Sequence, residues 1–411
     1  MAMNNNNMDG SYGNSVISPA NIIIIGGGRW ARILTEVICT IVDTSVNISI
    51  YSKGNASYMA EWVSLRIPER NIQVFSALPH KFLSPSNAVI VANAARDHEK
   101  AAAFALSAGG NVMVEKPLTL SHQASERLIA LAHKSGKTLV TAHIFLFARY
   151  FQNYSSIVSK AGEITSIRCN WVDPKSENRY GETKRYDTSL PIFVDWLPHI
   201  LPMIRTFASG KSQSCINLEL NRGGALVEIQ IMVGEIPCYI TLERNGATRK
   251  RFMEVTVSGK MMKLDFSTEP GVIQIGSEKI NGDPEWQTNE RPSVSMIKAF
   301  LRGAAGKGYD ERLDVEIGLS SSKVIDQAMV MYRIKHMEWL VERLAAKIES
   351  DDEDLHYALK EIFQVDNFIS NSEIEQKIES LTKVFSEDSD YWLNELRKKN
   401  AHRVILQMGS I

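Results

Sequence analysis

The chain has 411 residues, a formal net charge of -1, 44% hydrophobic and 23% charged residues. At roughly 100–200 residues per domain, that length predicts two domains with room for an appendage. The balanced charge excludes nucleic acid or an acidic membrane as an expected partner, and no apolar run approaches the ~20 residues of a membrane span. A cytoplasmic protein with a small-molecule partner is expected.

The first 20 residues are rich in Asn, Ser and Gly and lack the basic start and apolar core of a signal peptide, so they read as a disordered tail. Asn21–Ile25 (NIIII) is apolar throughout, as a parallel strand buried on both faces should be. Glycines follow, then WARILTEVICTIV with helical periodicity, then a second strand at Asn47–Tyr51, which together make one βαβ unit. Further strands are expected at Asn71–Phe75, Asn87–Ala92, Asn111–Val114 and Thr138–Ala142. Helices are expected over Asp97–Ala108, closed by Gly109-Gly110, and over Ser121–Ser135, closed by Gly136. Such alternation predicts an α/β, doubly wound parallel sheet of Rossmann type over residues 21–144.

From Ile164 to Lys263 the pattern changes to segments that alternate apolar and polar residues, among them ALVEIQIMV and RFMEVTVSG. They predict a large open, mainly antiparallel sheet of about five strands or more in a second α/β domain, residues 145–336. One helix, about Trp196 to Ala208, interrupts it. Pro198 and Pro202 are expected to disturb that helix, because proline is comfortable only in a first turn. Pro292–His336 is helical in pattern. Residues 337–411 are charged, with Ser caps followed by acids, and predict a helical extension able to bind a protein partner. Cys39, Cys169, Cys215 and Cys238 show no metal-ligand spacing, so no metal is expected. Four reduced, mostly buried thiols fit a reducing compartment.

Gly26-Gly27-Gly28-Arg29-Trp30-Ala31 fits G-x-G-x-x-A between a strand and a helix. Gly26 permits the tight turn, Gly28 lets the backbone approach a pyrophosphate, and Ala31 permits close packing of helix on strand. The pyrophosphate then meets free amides at the helix N-terminus. After the second strand, Tyr51-Ser52-Lys53-Gly54-Asn55 lacks the acid that would bind the ribose 2′-hydroxyl of NAD. Ser52 can donate a hydrogen bond and Lys53 can neutralise a 2′-phosphate, with Arg29 as a further cation or a stacking surface for adenine. NADP is therefore favoured over NAD.

Several stretches in order resemble the Gfo/Idh/MocA oxidoreductases, named for glucose–fructose oxidoreductase and inositol dehydrogenase. VMVEKPLTLS at Val112–Ser121 resembles that family's Glu-Lys-Pro motif, and VANAARDHEKAAAFALSAGGN resembles the loop and helix before it. Asp195-Trp196-Leu197-Pro198-His199 matches its D-x-x-x-H, and VSGKMMKLDF resembles its late hairpin. The resemblance implies a nicotinamide bordered by Ala92 and Asn93, with Glu115 and Lys116 at the cofactor, and Lys116, Asp195 and His199 as the catalytic set. It also implies a homodimer or homotetramer, and a substrate cleft lined by His143, Arg149, Arg179 and Tyr180, with Arg185 and Tyr186 nearby.

The chemistry of the residues agrees. Lys116 precedes Pro117 at the C-terminal end of a parallel strand, where ligands bind and a lysine can polarise a carbonyl or move a proton. Asp195 and His199 share a helix face, so the carboxylate can orient the imidazole as it exchanges a proton with substrate oxygen or nitrogen. His98 reads as a capping or packing residue at a helix start. Oxidation of a sugar or cyclitol hydroxyl and reduction of an imine or ketone both remain open. The apolar stretch IFVDWLPHILPMI tilts the expectation toward reduction of a less sugar-like substrate. The charged extension motivates a third reading, a catalytically silent NADP-binding sensor or scaffold.

Overall fold

The computed structural model describes residues 17–78, 87–179, 182–183 and 190–345. The chain divides into two compact units, one running through Ala148 and including Glu285–Ser322, the other made of Arg149–Pro284 and the chain from Lys323.

The first unit opens with β1 (Asn21–Ile25), α1 (Arg29–Ile41), β2 (Asn47–Tyr51), α2 (Ala56–Arg66) and β3 (Ile72–Phe75). It continues with β4 (Asn87–Val91), α3 (His98–Ser107), β5 (Gly110–Val114), α4 (His122–Ser135) and β6 (Leu139–Thr141). All six strands are parallel, in the order β3-β2-β1-β4-β5-β6. The order reverses between β1 and β4, and a crevice opens at the C-terminal ends of strands at such a point. Ile23, Ile25, Val89, Val91, Val112 and Val114 form one buried face against Ala101, Ala102 and Ala105 of α3 and Leu128 and Ala132 of α4. Each fully buried Val or Ile contributes about 1.5–3 kcal/mol, and the alanines let α3 lie close to the sheet. Ser121 caps α4 by accepting from the Ala124 amide, and Gly136 closes it at φ +62°. Helix α2 was not expected: only Met59 and Val63 are buried on it, too sparse a stripe to show as periodicity.

The second unit begins with α5 (Arg149–Ala161), also unexpected, then β7 (Ile164–Pro174), the short pair β8 (Asn178–Arg179) and β9 (Glu182–Thr183), and α6 (Ile192–Arg205). Seven strands follow: β10 (Gln213–Asn221), β11 (Leu226–Val233), β12 (Ile236–Gly246), β13 (Lys250–Val257), β14 (Lys260–Asp265), β15 (Val272–Ile275) and β16 (Glu278–Asn281). They form an eight-stranded sheet with β7, in the order β10-β11-β12-β7-β13-β14-β15-β16. It is antiparallel except for the β7–β12 pair. Alternate residues of β7 (Ile167, Cys169, Trp171, Asp173) are buried, while Arg168 is exposed beside the Tyr239 ring. This is the one-sided sheet that the alternation implied.

Helix α6 corrects two expectations. It begins at Ile192 rather than Trp196, and it runs unbroken through Pro198 and Pro202. Each internal proline costs about 3 kcal/mol. Nearly every other α6 side chain is buried, Phe193, Leu197, Ile200 and Leu201 completely, and at about 1.5–3 kcal/mol each that burial outweighs the two prolines.

Glu285–Ser322 returns to the first unit, although the sequence reading assigned all of 145–336 to the second. Helix α7 (Pro292–Ala304) has proline at its start, where no amide partner is lost, and packs on α1, β4 and the turn Ile144–Phe147. Asp314 bridges Val140, and the Arg312 guanidinium stands 4.0 Å over the Phe147 ring. Helix α8 spans Val315–Ala345, so no break occurs at the expected boundary of Met337. Residues 346–411 of the expected extension, and residues 1–16 of the expected tail, lie outside the described residues. The four cysteines carry no disulfide, and Cys169, Cys215 and Cys238 are buried. Burial pushes the Cys215 thiol up to about 11 and that of Cys238 to about 12, which suppresses thiolate chemistry. No helix among the described residues is long and apolar enough to cross a membrane.

Candidate cofactor and active site

Backbone hydrogen bonds carry the ladder of the first sheet past its strand ends. The Gly26 amide donates to Tyr51, Ala92 to Ile25, Glu115 to Val91 and Ala142 to Val114, all at 2.8–2.9 Å. These bonds hold the loops after β1, β4, β5 and β6 in one row at the C-terminal edge of the sheet.

Each glycine of the turn answers to a different constraint. Gly26 sits at φ +149°, and a Cβ there would lie 2.4 Å from the Ala92 carbonyl oxygen. A Cβ on Gly27 would lie 2.0 Å from Ser52 Oγ. Gly28 is exposed, and a Cβ there would meet nothing within 4 Å. It is the N-cap of α1, and it brings no side chain to cap the first turn. Ala31 is fully buried. In the segments that follow β1, β4 and β5, Trp30 Nε1, Asn93 Oδ1 and Glu115 Oε1 are buried atoms without a hydrogen-bond partner among the described residues. Buried polar atoms are normally satisfied. An open helix N-terminus at the switch point fits a dinucleotide.

Glu115 is 7% exposed, and burial pushes its carboxyl up to about 7. The Trp30 indole N–H leans toward it and favours the ionised form without reaching hydrogen-bond geometry, and the Lys116 cation acts in the same direction. Ser52 is 5% exposed and is turned into the loop, where its Oγ accepts from the Asn55 amide at 3.2 Å. Asn55 Nδ2 donates to the Gly27 carbonyl at 3.3 Å and so ties the 51–55 loop to the glycine turn. Lys53 is exposed at the loop tip. Asn55 was given no role in the sequence reading, since its partner lies 28 residues away.

His98 does more than pack. It opens α3, is 1% exposed, and sets Nδ1 2.7 Å from the Pro117 carbonyl and Nε2 3.2 Å from the Asn93 carbonyl. The first unit thus sets Gly26, Gly28, Arg29, Trp30, Ser52, Ala92, Asn93, Glu115 and Lys116 in the segments that follow β1, β2, β4 and β5 at the C-terminal edge of one sheet. His143, 3% exposed, follows β6 at the same edge.

In the second unit Asp195 and His199 lie one turn apart on α6. Asp195 Oδ2 faces Arg244 Nη2 at 3.5 Å, and Arg244, 1% exposed on β12, also donates from Nη1 to the Leu190 carbonyl at 3.0 Å. The His199 ring stacks on Trp171, with centroids 5.8 Å apart and planes 1° apart. The Arg251 guanidinium lies 4.3 Å from the same indole and pairs with Asp173 at 2.8 Å. An imidazole held flat on an indole keeps one orientation, a role the sequence reading left to Asp195 alone. Trp171, Arg244 and Arg251 were missed because their partners come from other strands and α6. Arg149 is exposed at the start of α5. Arg179 has its backbone in β8, while its side chain and Tyr180, Arg185 and Tyr186 lie outside the described residues.

Residues 20–143 match the family model described as an oxidoreductase family with an NAD-binding Rossmann fold, Gfo/Idh/MocA. Comparison with curated proteins gives no match. Among solved structures, the UDP-N-acetylglucosamine 3-dehydrogenase of Acidithiobacillus ferrooxidans is 16% identical with a TM-score of 0.61, covering 77% of this chain and 98% of that one. A 3-ketoreductase of Actinomadura kijaniata, in complex with TDP-benzene and NADP, is 18% identical with a TM-score of 0.62, covering 77% and 97%. The scyllo-inositol dehydrogenase of Lactobacillus casei is 18% identical with a TM-score of 0.60, covering 78% and 97%. At these identities the likeness is one of fold. The segment that carries the glycine turn and the Glu-Lys-Pro motif is the one that matches the Gfo/Idh/MocA oxidoreductase family model.

Proposed function

We propose that this protein is an NADP-dependent oxidoreductase that moves hydride between the nicotinamide and a carbon bearing oxygen or nitrogen, in the reductive direction. The observation that carries this reading is the exposed Gly28 at the α1 N-terminus, set at the β1–β4 switch point with open space where a Cβ would stand. Pyrophosphate oxygens would accept from the α1 amides, and exposed Lys53 would neutralise a 2′-phosphate where an NAD enzyme carries an acid. The bound dinucleotide supplies the hydride chemistry. Lys116, at the end of β5, would hand a proton to the substrate heteroatom. His199, held flat against Trp171, would serve as the second proton-handling group, with Asp195 paired to buried Arg244.

A second reading, oxidation of a sugar or cyclitol hydroxyl, is supported by the similar structures, two of which are named as dehydrogenases of UDP-N-acetylglucosamine and of scyllo-inositol. The ketoreductase with bound NADP supports the first. Titration with NADPH and NADH, followed by nicotinamide fluorescence, tests the cofactor. Turnover is then measured with ketones and imines under NADPH and with sugars and cyclitols under NADP. Binding of neither dinucleotide would overturn the proposal; binding without turnover on any class, undisturbed by Lys116→Ala, would favour a silent NADP-binding protein.

A further inference from the structure

We propose that His98 is a positioning residue that sets the placement of Lys116 by donating its Nδ1 hydrogen to the Pro117 carbonyl. The inference rests on the reading of Lys116 as a proton-handling group, and the test below separates the two.

The imidazole lies between two main-chain carbonyl oxygens, of Pro117 at 2.7 Å and of Asn93 at 3.2 Å. Both are acceptors, and a neutral imidazole has one N–H to give. Burial lowers the His98 pKa; the two carbonyls and Asp97 oppose that, and the Lys116 cation reinforces it. The ring is therefore neutral at working pH, and the shorter contact takes the proton. The Asn93 carbonyl then meets the lone pair of Nε2 and is a neighbour rather than a hydrogen-bond partner.

The location gives the bond its importance. Upstream of Lys116 the chain is anchored by the Glu115 amide on the Val91 carbonyl at 2.9 Å. Downstream it is anchored by the Thr119 hydroxyl on the Ser121 carbonyl at 2.6 Å. Pro117 has no N–H to offer, and its carbonyl is a point between these anchors at which the main chain is held. His98 holds it from α3, whose Ala101, Ala102 and Ala105 are seated in the core of the sheet. The bond thus transfers the rigidity of that core to the peptide that follows Lys116. A displacement of about 1 Å at a reacting group costs about 100-fold in rate, which sets the scale of the effect.

Three variants separate donation from packing. His98→Asn keeps an N–H near the Nδ1 position, His98→Gln moves it toward the Nε2 position, and His98→Phe fills the space without a donor. Each is followed by kcat and KM with NADPH, by melting temperature, and by 13C-methyl NMR of reductively methylated lysines, with the Lys116 signal assigned through Lys116→Arg. We expect His98→Asn to keep kcat within about threefold and to leave the Lys116 signal in place. His98→Gln and His98→Phe should lose about 10–100-fold in kcat with little change in cofactor KM, and should move that signal. Melting temperatures should fall alike in all three. Equal losses in His98→Asn and His98→Gln, or a wild-type kcat and Lys116 signal in His98→Phe, would overturn the proposal. If the wild type turns over no substrate, the functional reading fails, and the Lys116 signal across the same variants still decides the role of His98.

Discussion

Replacing Glu115 with glutamine should flatten the pH dependence of stability. The carboxyl is 7% exposed, and its burial raises it from 4.5 to about 7 against the opposing pull of the Trp30 N–H and the Lys116 cation. Below about 4.5 both folded and unfolded chains hold the proton, and the folded state carries no penalty. As pH rises toward about 7, the unfolded chain releases a proton that the folded chain keeps, so stability is progressively lost. Above about 7 both states are ionised and the loss is complete. At roughly 1.36 kcal/mol per pH unit the loss totals about 3 kcal/mol, of which about 2.5 falls between about pH 5 and about pH 8. Urea unfolding of the wild type and of Glu115→Gln at those two pH values measures it. The wild type should lose about 2.5 kcal/mol more than the variant on going to the higher pH. Parallel behaviour of the two proteins would refute the reasoning, because it would mean that the carboxyl ionises in the fold as it does in water.

The glycine turn offers a paired test. Gly26→Ala, strained at φ +149° and pressed on the Ala92 carbonyl, should destabilise by about 3 kcal/mol in denaturant titration. Gly28→Ala should leave stability within about 0.5 kcal/mol yet weaken dinucleotide binding about tenfold, or about 1.4 kcal/mol, by filling the opening over α1. Arg244→Met leaves Asp195 and the Leu190 carbonyl without their buried partner. With Asp195 still 26% exposed, a loss of about 2 kcal/mol in thermal unfolding is expected, less than for a fully buried pair. Lys53→Ala should raise the Kd of NADPH about fivefold, or about 1 kcal/mol, and leave that of NADH unchanged; equal effects on both would place Lys53 away from the 2′-phosphate.

Much of the first unit was legible because its signals are local. NIIII, short, β-branched and followed by glycines, reads as a strand covered on both faces, and Ser121 and Gly136 delimit α4 by chemistry that acts within four residues. Lys116 was legible for the same reason, since a proline after a parallel strand fixes where the lysine lies. Helix α2 was not, because two buried residues in eleven make no visible stripe. Helix α6 was misjudged where local rules were applied to prolines whose burial decides the outcome.

By itself the sequence determined that a dinucleotide turn sits between a buried strand and a helix, that the strands of the first unit run parallel, and that a second sheet alternates one covered face with one open one. These follow from periodicity, glycine and proline, which act over a few residues. Only the tertiary structure decided that Asn55 ties the loop after β2 to Gly27, that His98 reaches Pro117, that Arg244 faces Asp195, and that His199 lies on Trp171. Each of these pairs joins residues 19 to 49 positions apart. At that separation no local pattern records the pairing, because it exists only once strands and helices have packed and burial has removed water as the competing partner.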